Sequence, residues 1–197
     1  MRRKSRILLW ELLVCVLFCT SCRGAAEPPA YFGYRDSEFH TELRGELHGV
    51  AFCAQLHARP IGTGYSIVLT YLADPQTGKN GALTGTEISA TLDTSGEPVE
   101  GSLFLRCGDL QTEIDADTAK GWLLPATALF RAGELLRVQR DGVQYLLQTG
   151  EGEQLVLDSN GTPRAFSSSR VRFDAVWWEE VSEKTEKAVP KTALNAS

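Results

Sequence analysis

Apolar and polar residues alternate with a period of two through most of this chain, and the alternation is broken at short intervals by Gly, Pro, Asn and Asp. Phe39, Thr41, Leu43, Gly45 and Leu47 alternate with His40, Glu42, Arg44, Glu46 and His48. Successive side chains of a strand point to opposite faces, so this run predicts a strand with one buried and one wet face. Val50, Phe52, Ala54 and Leu56 continue the pattern beyond Gly49, with Cys53, Gln55, His57 and Arg59 on the other face. Pro and Gly then predict a turn over 59–64. Tyr65, Ile67, Leu69 and Tyr71 alternate with Ser66, Val68, Thr70 and Leu72, and a strand this apolar on both faces belongs in the middle of a covered sheet.

The same grammar continues downstream. Asp74-Pro75 opens a loop through Gly78, Asn80 and Gly81, and Ile88, Ala90 and Leu92 mark the next strand. A turn at Ser95-Gly96-Glu97-Pro98 precedes an alternating run of Val99, Gly101, Leu103 and Leu105. One stretch, Pro125 to Ala132, reads as a short helix. Proline fits the first helical turn, Ala126, Leu129 and Phe130 share a face, and Gly133 suits the end. Asp141-Gly142 predicts a hairpin turn between 136–140 and 143–147. Gly150 and Gly152 mark a second reversal and Asn160-Gly161 a third, before a last long strand from Arg164 to Trp178. Many antiparallel strands and one helix predict a mainly β fold. The expected form is a large curved antiparallel sheet, an open half-barrel, with one short covering helix.

The N-terminus addresses the chain. Arg2, Arg3, Lys4 and Arg6 precede the apolar run from Leu12 to Phe18, in the order of a secretory signal. Glu11 leaves that run too short for a spanning helix, which needs about 20 apolar residues. The small residues Thr20 and Ser21 stand directly before Cys22, and this arrangement resembles the bacterial lipobox. The resemblance implies cleavage after Ser21 and a lipid on Cys22, which would tether the protein to a membrane in the cell envelope, outside the cytoplasm. The expected organisation is a signal at 1–21, a tether at 22–36, a half-barrel domain at 37–181 and a disordered polar tail at 182–197.

Charge and motifs narrow the function classes. The formal net charge is -5, and loss of residues 1–21 makes it three units more negative. No basic stripe is present, which argues against nucleic acid. No nucleophile elbow, zincin helix, phosphate loop or dinucleotide fingerprint occurs, so the chain does not read as an enzyme and no cofactor is expected. His40 and His48 fall on the outer face of one expected strand and His57 on its neighbour, which reads as a solvated sheet face, not a metal site. Asp115 and Asp117 read as a solvated acidic turn. Cys53 and Cys107 either form a disulfide in an oxidising compartment or stay as small buried apolar groups.

Tyr71-Leu72-Ala73-Asp74-Pro75 at a strand end and Leu157-Asp158-Ser159-Asn160-Gly161-Thr162-Pro163 before a long strand carry, with the strand order, a further resemblance. From about Phe39 to Trp178 the chain resembles the LolA/LolB-like lipoprotein-carrier superfamily. That resemblance implies an unclosed half-barrel holding acyl chains in its concave face. Tyr65, Ile67 and Leu69 would line the concavity and Trp122 and Phe130 would close over it. The alternative is an anchored interaction or sensor protein with a filled core and an envelope protein as partner. An open interior favours the first and a packed one the second.

Overall fold

The computed structural model describes residues 31–74, 78, 81, 83–131, 135–149 and 152–181. The expected signal, Cys22, most of the tether, Gly133 and the tail lie outside the described residues. A short 3-10 helix at Gly33–Asp36 leads into β1 (Phe39–Leu47), β2 (Val50–Ile61), β3 (Gly64–Leu72), β4 (Thr86–Asp93), β5 (Phe104–Cys107) and β6 (Leu110–Glu113). Helix α1 (Ala116–Phe130) follows, and then β7 (Leu135–Asp141), β8 (Gln144–Thr149), β9 (Gln154–Leu157), β10 (Pro163–Ser167) and β11 (Val171–Glu180).

All eleven strands form one antiparallel sheet in the order β6-β5-β4-β3-β2-β1-β11-β10-β9-β8-β7, and the sheet does not close into a barrel. Two meanders meet where β1 pairs with β11, so the first and last strands lie side by side in the middle. The outer strands β6 and β7 are consecutive in the chain, and α1 connects them. In a flat sheet with strands ~4.8 Å apart these edges would be roughly 48 Å from each other. The 15 residues of α1 span only about 22 Å at ~1.5 Å per residue. That span is less than half of the flat-sheet separation, and α1 contacts β1, β3, β10 and β11, so the helix lies across one face of a curled sheet, the concave one. Both edges are blunted against further pairing: β6 is only four residues long and ends in Glu113, and β7 carries Arg137, Arg140 and Asp141.

The helix is nearly twice the length expected from Pro125 to Ala132 and begins nine residues earlier, at Ala116. Asp115 is its N-cap, accepting hydrogen bonds from the Thr118 amide at 2.8 Å and the Thr118 hydroxyl at 2.6 Å. Those contacts hold the Asp115 carboxyl below its usual pKa, with the hydroxyl bond the largest cause. The acidic pair thus opens a helix, where a solvated turn was expected. Pro125 lies inside the helix, where it withholds the amide that would otherwise bond the Gly121 carbonyl.

Burial along α1 is uneven. From Leu123 to Phe130 every residue is buried, whereas in the preceding half only Ala119 is. A helix buried all round needs its terminal carbonyls satisfied from outside, and α1 has no basic residue in its last turn. The 3-10 segment supplies the partners. The Tyr34 hydroxyl donates to the Leu129 carbonyl at 2.6 Å, Arg35 Nε donates to the same oxygen at 3.0 Å, and an Arg35 terminal nitrogen donates to the Arg131 carbonyl at 3.2 Å. Residues 33–36 are therefore part of the packed domain, not of a tether that ends at 36.

Three strand boundaries differ from the alternation. The β2 to β3 reversal is tight, at Gly62-Thr63, because β2 continues through Pro60 to Ile61. The run from Val99 is a turn held by Ser102, whose hydroxyl donates to the Val99 carbonyl at 2.6 Å, and β5 starts only at Phe104. The expected strand from Arg164 to Trp178 is two, β10 and β11, because the Ser168 hydroxyl accepts the Arg170 and Val171 amides and turns the chain. The hairpin between β7 and β8 is present with Asp141 paired to Gln144, so its turn residues are Gly142 and Val143, one step later than expected. Gly142 has φ 59°, as a two-residue hairpin turn requires.

Candidate functional site

The concave side of β1, β2 and β3 differs at its two ends. Where β1 begins, β2 finishes and β3 begins, aromatic rings fill the space beneath the end of α1. Phe39 stacks on Trp178 with ring centroids 4.1 Å apart and on Phe130 at 6.0 Å. Tyr65 lies 4.5 Å from Phe130, and Tyr34 meets Trp178 edge-on at 5.5 Å. Ile67, Leu69 and Phe130 are no more than 1% exposed. Of the residues expected to line an open concavity, Ile67, Leu69 and Phe130 therefore belong to a packed core, and Tyr65 lies half-buried against Phe130. The correction has a simple cause: the longer helix delivers a continuous apolar segment that occupies the space.

Where β1 finishes, the space beneath the helix is left unfilled and opens to solvent past His48 and Val50. A cavity of about 580 Å³ lies there, between the ends of β1, β2 and β3 and the first half of α1. Its walls include Leu47, Phe52, Leu72, Leu83 and Trp122, and its titratable members are His48, Cys53, Tyr71 and Asp74. Trp122 is thus the one expected lining residue that faces it. The Tyr71 ring packs edge-on against Phe52 at 6.1 Å. The Tyr71 hydroxyl donates to the Trp122 carbonyl at 2.5 Å, and burial pushes its pKa well above the ordinary phenol range. That bond ties the helix to the sheet at the rim and leaves a largely hydrocarbon surface. The size and chemistry suit a small apolar ligand, since such sites run about 300–1,000 Å³ with few polar groups.

Leu47 and Phe52 were visible in the sequence as inward strand positions but carried no sign that they bordered a void. Leu83 and Thr84 come from the loop before β4, which periodicity does not place. His48 is a further correction. It stands in the two-residue turn after β1, with φ 51°, and lines the cavity instead of sharing the outer face with His40.

On the outer face, away from α1, His40 and His57 are direct partners in the β1–β2 register. Their rings stack at 4.0 Å with an interplanar angle of 11°, and His57 Nε2 lies 2.7 Å from Glu38 Oε1. Glu42, two residues along, is committed elsewhere: it pairs with Arg44 and accepts from Trp177 Nε1 at 3.4 Å.

Cys53 and Cys107 are both free thiols, the first buried and the second exposed. They stand on β2 and β5, and two intervening strands put them about 14 Å apart, beyond the reach of a disulfide. Burial is the largest cause of a raised Cys53 pKa, and the nearby Glu42 carboxylate adds to it, so this thiol is a poor nucleophile. Cys22 lies outside the described residues.

No protein-family model matches this sequence, and no curated protein matches it significantly.

Proposed function

We propose that this protein is a cell-envelope lipoprotein, anchored through Cys22, whose half-barrel holds an acyl chain or a similar apolar ligand in the manner of the LolA/LolB-like carriers. The observation that carries the reading is the cavity of about 580 Å³ under Trp122, walled by Leu47, Phe52, Tyr71 and Leu72. Burying ten methylenes there would contribute roughly 8 kcal/mol before ordering costs, enough for useful affinity without a charged contact. His48 would orient a polar end of the ligand. The packed end of the same concavity favours the second reading, an anchored interaction protein with an envelope partner.

The deciding experiment uses the chain produced without residues 1–21, titrated with a brominated fatty acid while tryptophan fluorescence is followed. Saturable quenching that disappears in Trp122→Phe, with Trp177 and Trp178 still emitting, is the expected result. An absence of saturable quenching in the unsubstituted protein moves the reading to a protein partner. Anchoring is tested separately: Cys22→Ala should leave the precursor unprocessed or send the protein to the soluble fraction, and a variant that matures and stays membrane-bound excludes the lipid.

A further inference from the structure

The geometry points to a divalent metal site of the zinc class on the outer face of the sheet, formed by Glu38, His40 and His57. One ligand atom from each of the three lies within 4.8 Å of the others. Two imidazoles and one carboxylate are the donor types that zinc takes, in the number that leaves a fourth position open. Bonds of about 2.0–2.2 Å in tetrahedral geometry would place ligand atoms roughly 3.4 Å apart. The Glu38 to His57 contact, at 2.7 Å, is shorter than that value, and every pair lies within 4.8 Å. A small opening of that contact and a tilt of the two rings would converge the donors on one ion.

The backbone already fixes the parts. His40 and His57 face each other across the β1–β2 ladder in the middle of an eleven-stranded sheet. Glu38 is held beside them because its carbonyl accepts the Val181 amide at 2.8 Å. Glu179 is the β11 partner of His40, so a second carboxylate borders the same spot and adds to its attraction for a cation. Glu42 does not compete for the ion, since Arg44 neutralises it. The three donors are half-buried, shielded enough to be held in place and open enough for an ion to enter. None of them borders the cavity, so the metal site stands independently of the apolar-ligand reading.

The test is isothermal titration of the untagged full chain, in detergent, with Zn²⁺, accompanied by the visible spectrum of the Co²⁺-loaded protein. One equivalent should bind, and the cobalt spectrum should show the intense bands of a four-coordinate site without thiolate charge transfer. Glu38→Gln, His40→Gln and His57→Gln should each weaken binding about tenfold or more. His48→Gln and Cys107→Ser should leave it unchanged. Circular dichroism confirms that each variant is folded, and the Glu38→Gln exchange, which preserves shape, carries the decision if a histidine variant is not. Failure to bind Zn²⁺, or binding that survives Glu38→Gln and His57→Gln, overturns the site.

Discussion

The end of the concavity where β1 begins is solid and the end where β1 finishes is hollow, although the same three strands and the same helix build both. The difference follows the composition of α1. Its buried second half presents Leu123, Leu124, Leu129 and Phe130, whereas its first half offers Asp117, Thr118, Lys120 and Gly121, with Trp122 at the boundary. The 3-10 segment adds Tyr34 to the solid end alone. One amphipathic element can therefore seal a half-barrel and leave a chamber in it, depending on how its large side chains are distributed along its length. The solid end should carry stability and the hollow end binding.

Phe130→Ala tests that division with the largest effect. It removes a ring packed between Phe39 and Tyr65, and it should cost about 3–5 kcal/mol in denaturant unfolding. A loss below ~1 kcal/mol would show that the packed end is not the stabilising one. Arg35→Met comes next. It withdraws a charged donor from the Leu129 and Arg131 carbonyls, and it should cost about 1.5–3 kcal/mol while leaving apolar-ligand binding intact.

Tyr71→Phe probes the junction between the ends. Loss of its bond to the Trp122 carbonyl should cost about 1 kcal/mol at neutral pH. The sign of the alkaline effect follows from the raised pKa. The unfolded chain gives up the phenolic proton near pH 10, and the folded chain holds it to higher pH. The Tyr71 contribution is thus fully present below about pH 10 and is lost as pH rises beyond it. The variant should show a shallower fall, with the remainder due to Tyr34 and Cys53, whose pKa values burial also raises. An identical alkaline profile in the variant would remove Tyr71 from that transition. The smallest effect on stability is expected at Gly121. A Cβ there would meet only His48 Nε2, at 3.9 Å, so Gly121→Ala should raise stability by up to ~1 kcal/mol through helix propensity. The larger Gly121→Leu should fill the hollow end and abolish fatty-acid binding. Retained binding in that variant would place the ligand elsewhere.

Period-two alternation and Gly-containing reversals were sufficient to read the mainly β class, the order of β1 to β4 and the hairpins after α1, because strand faces and tight turns are local properties. The start of α1 was also legible in Asp115-Ala116-Asp117-Thr118, but the residues fit an acidic turn equally well until a helix follows them. Ser168 hid the break between β10 and β11 for the same reason: a single hydroxyl accepting two amides interrupts an alternation that side-chain polarity alone continues. Among the expected site residues, Trp122 borders the cavity, while Ile67, Leu69 and Phe130 pack the core and Tyr65 covers Phe130 at its edge.

By itself the sequence determined which side of most strands would be apolar and that the chain would form an antiparallel sheet with a helix over it, whereas at the end of β11 a register shift turns Trp177 outward and Trp178 onto Phe39. It could not determine where the helix would lie along that sheet, since the position depends on one connection joining the two outermost strands of a curled surface. Only the tertiary structure decided that Phe130 meets Phe39, that Trp122 overhangs a void, and that Glu38, His40 and His57 converge. The physical reason is common to all three. Alternation fixes direction within a strand, whereas cavities and ligand clusters depend on distances between segments far apart in the chain, set by sheet curvature and by which carbonyls Tyr34 and Arg35 reach.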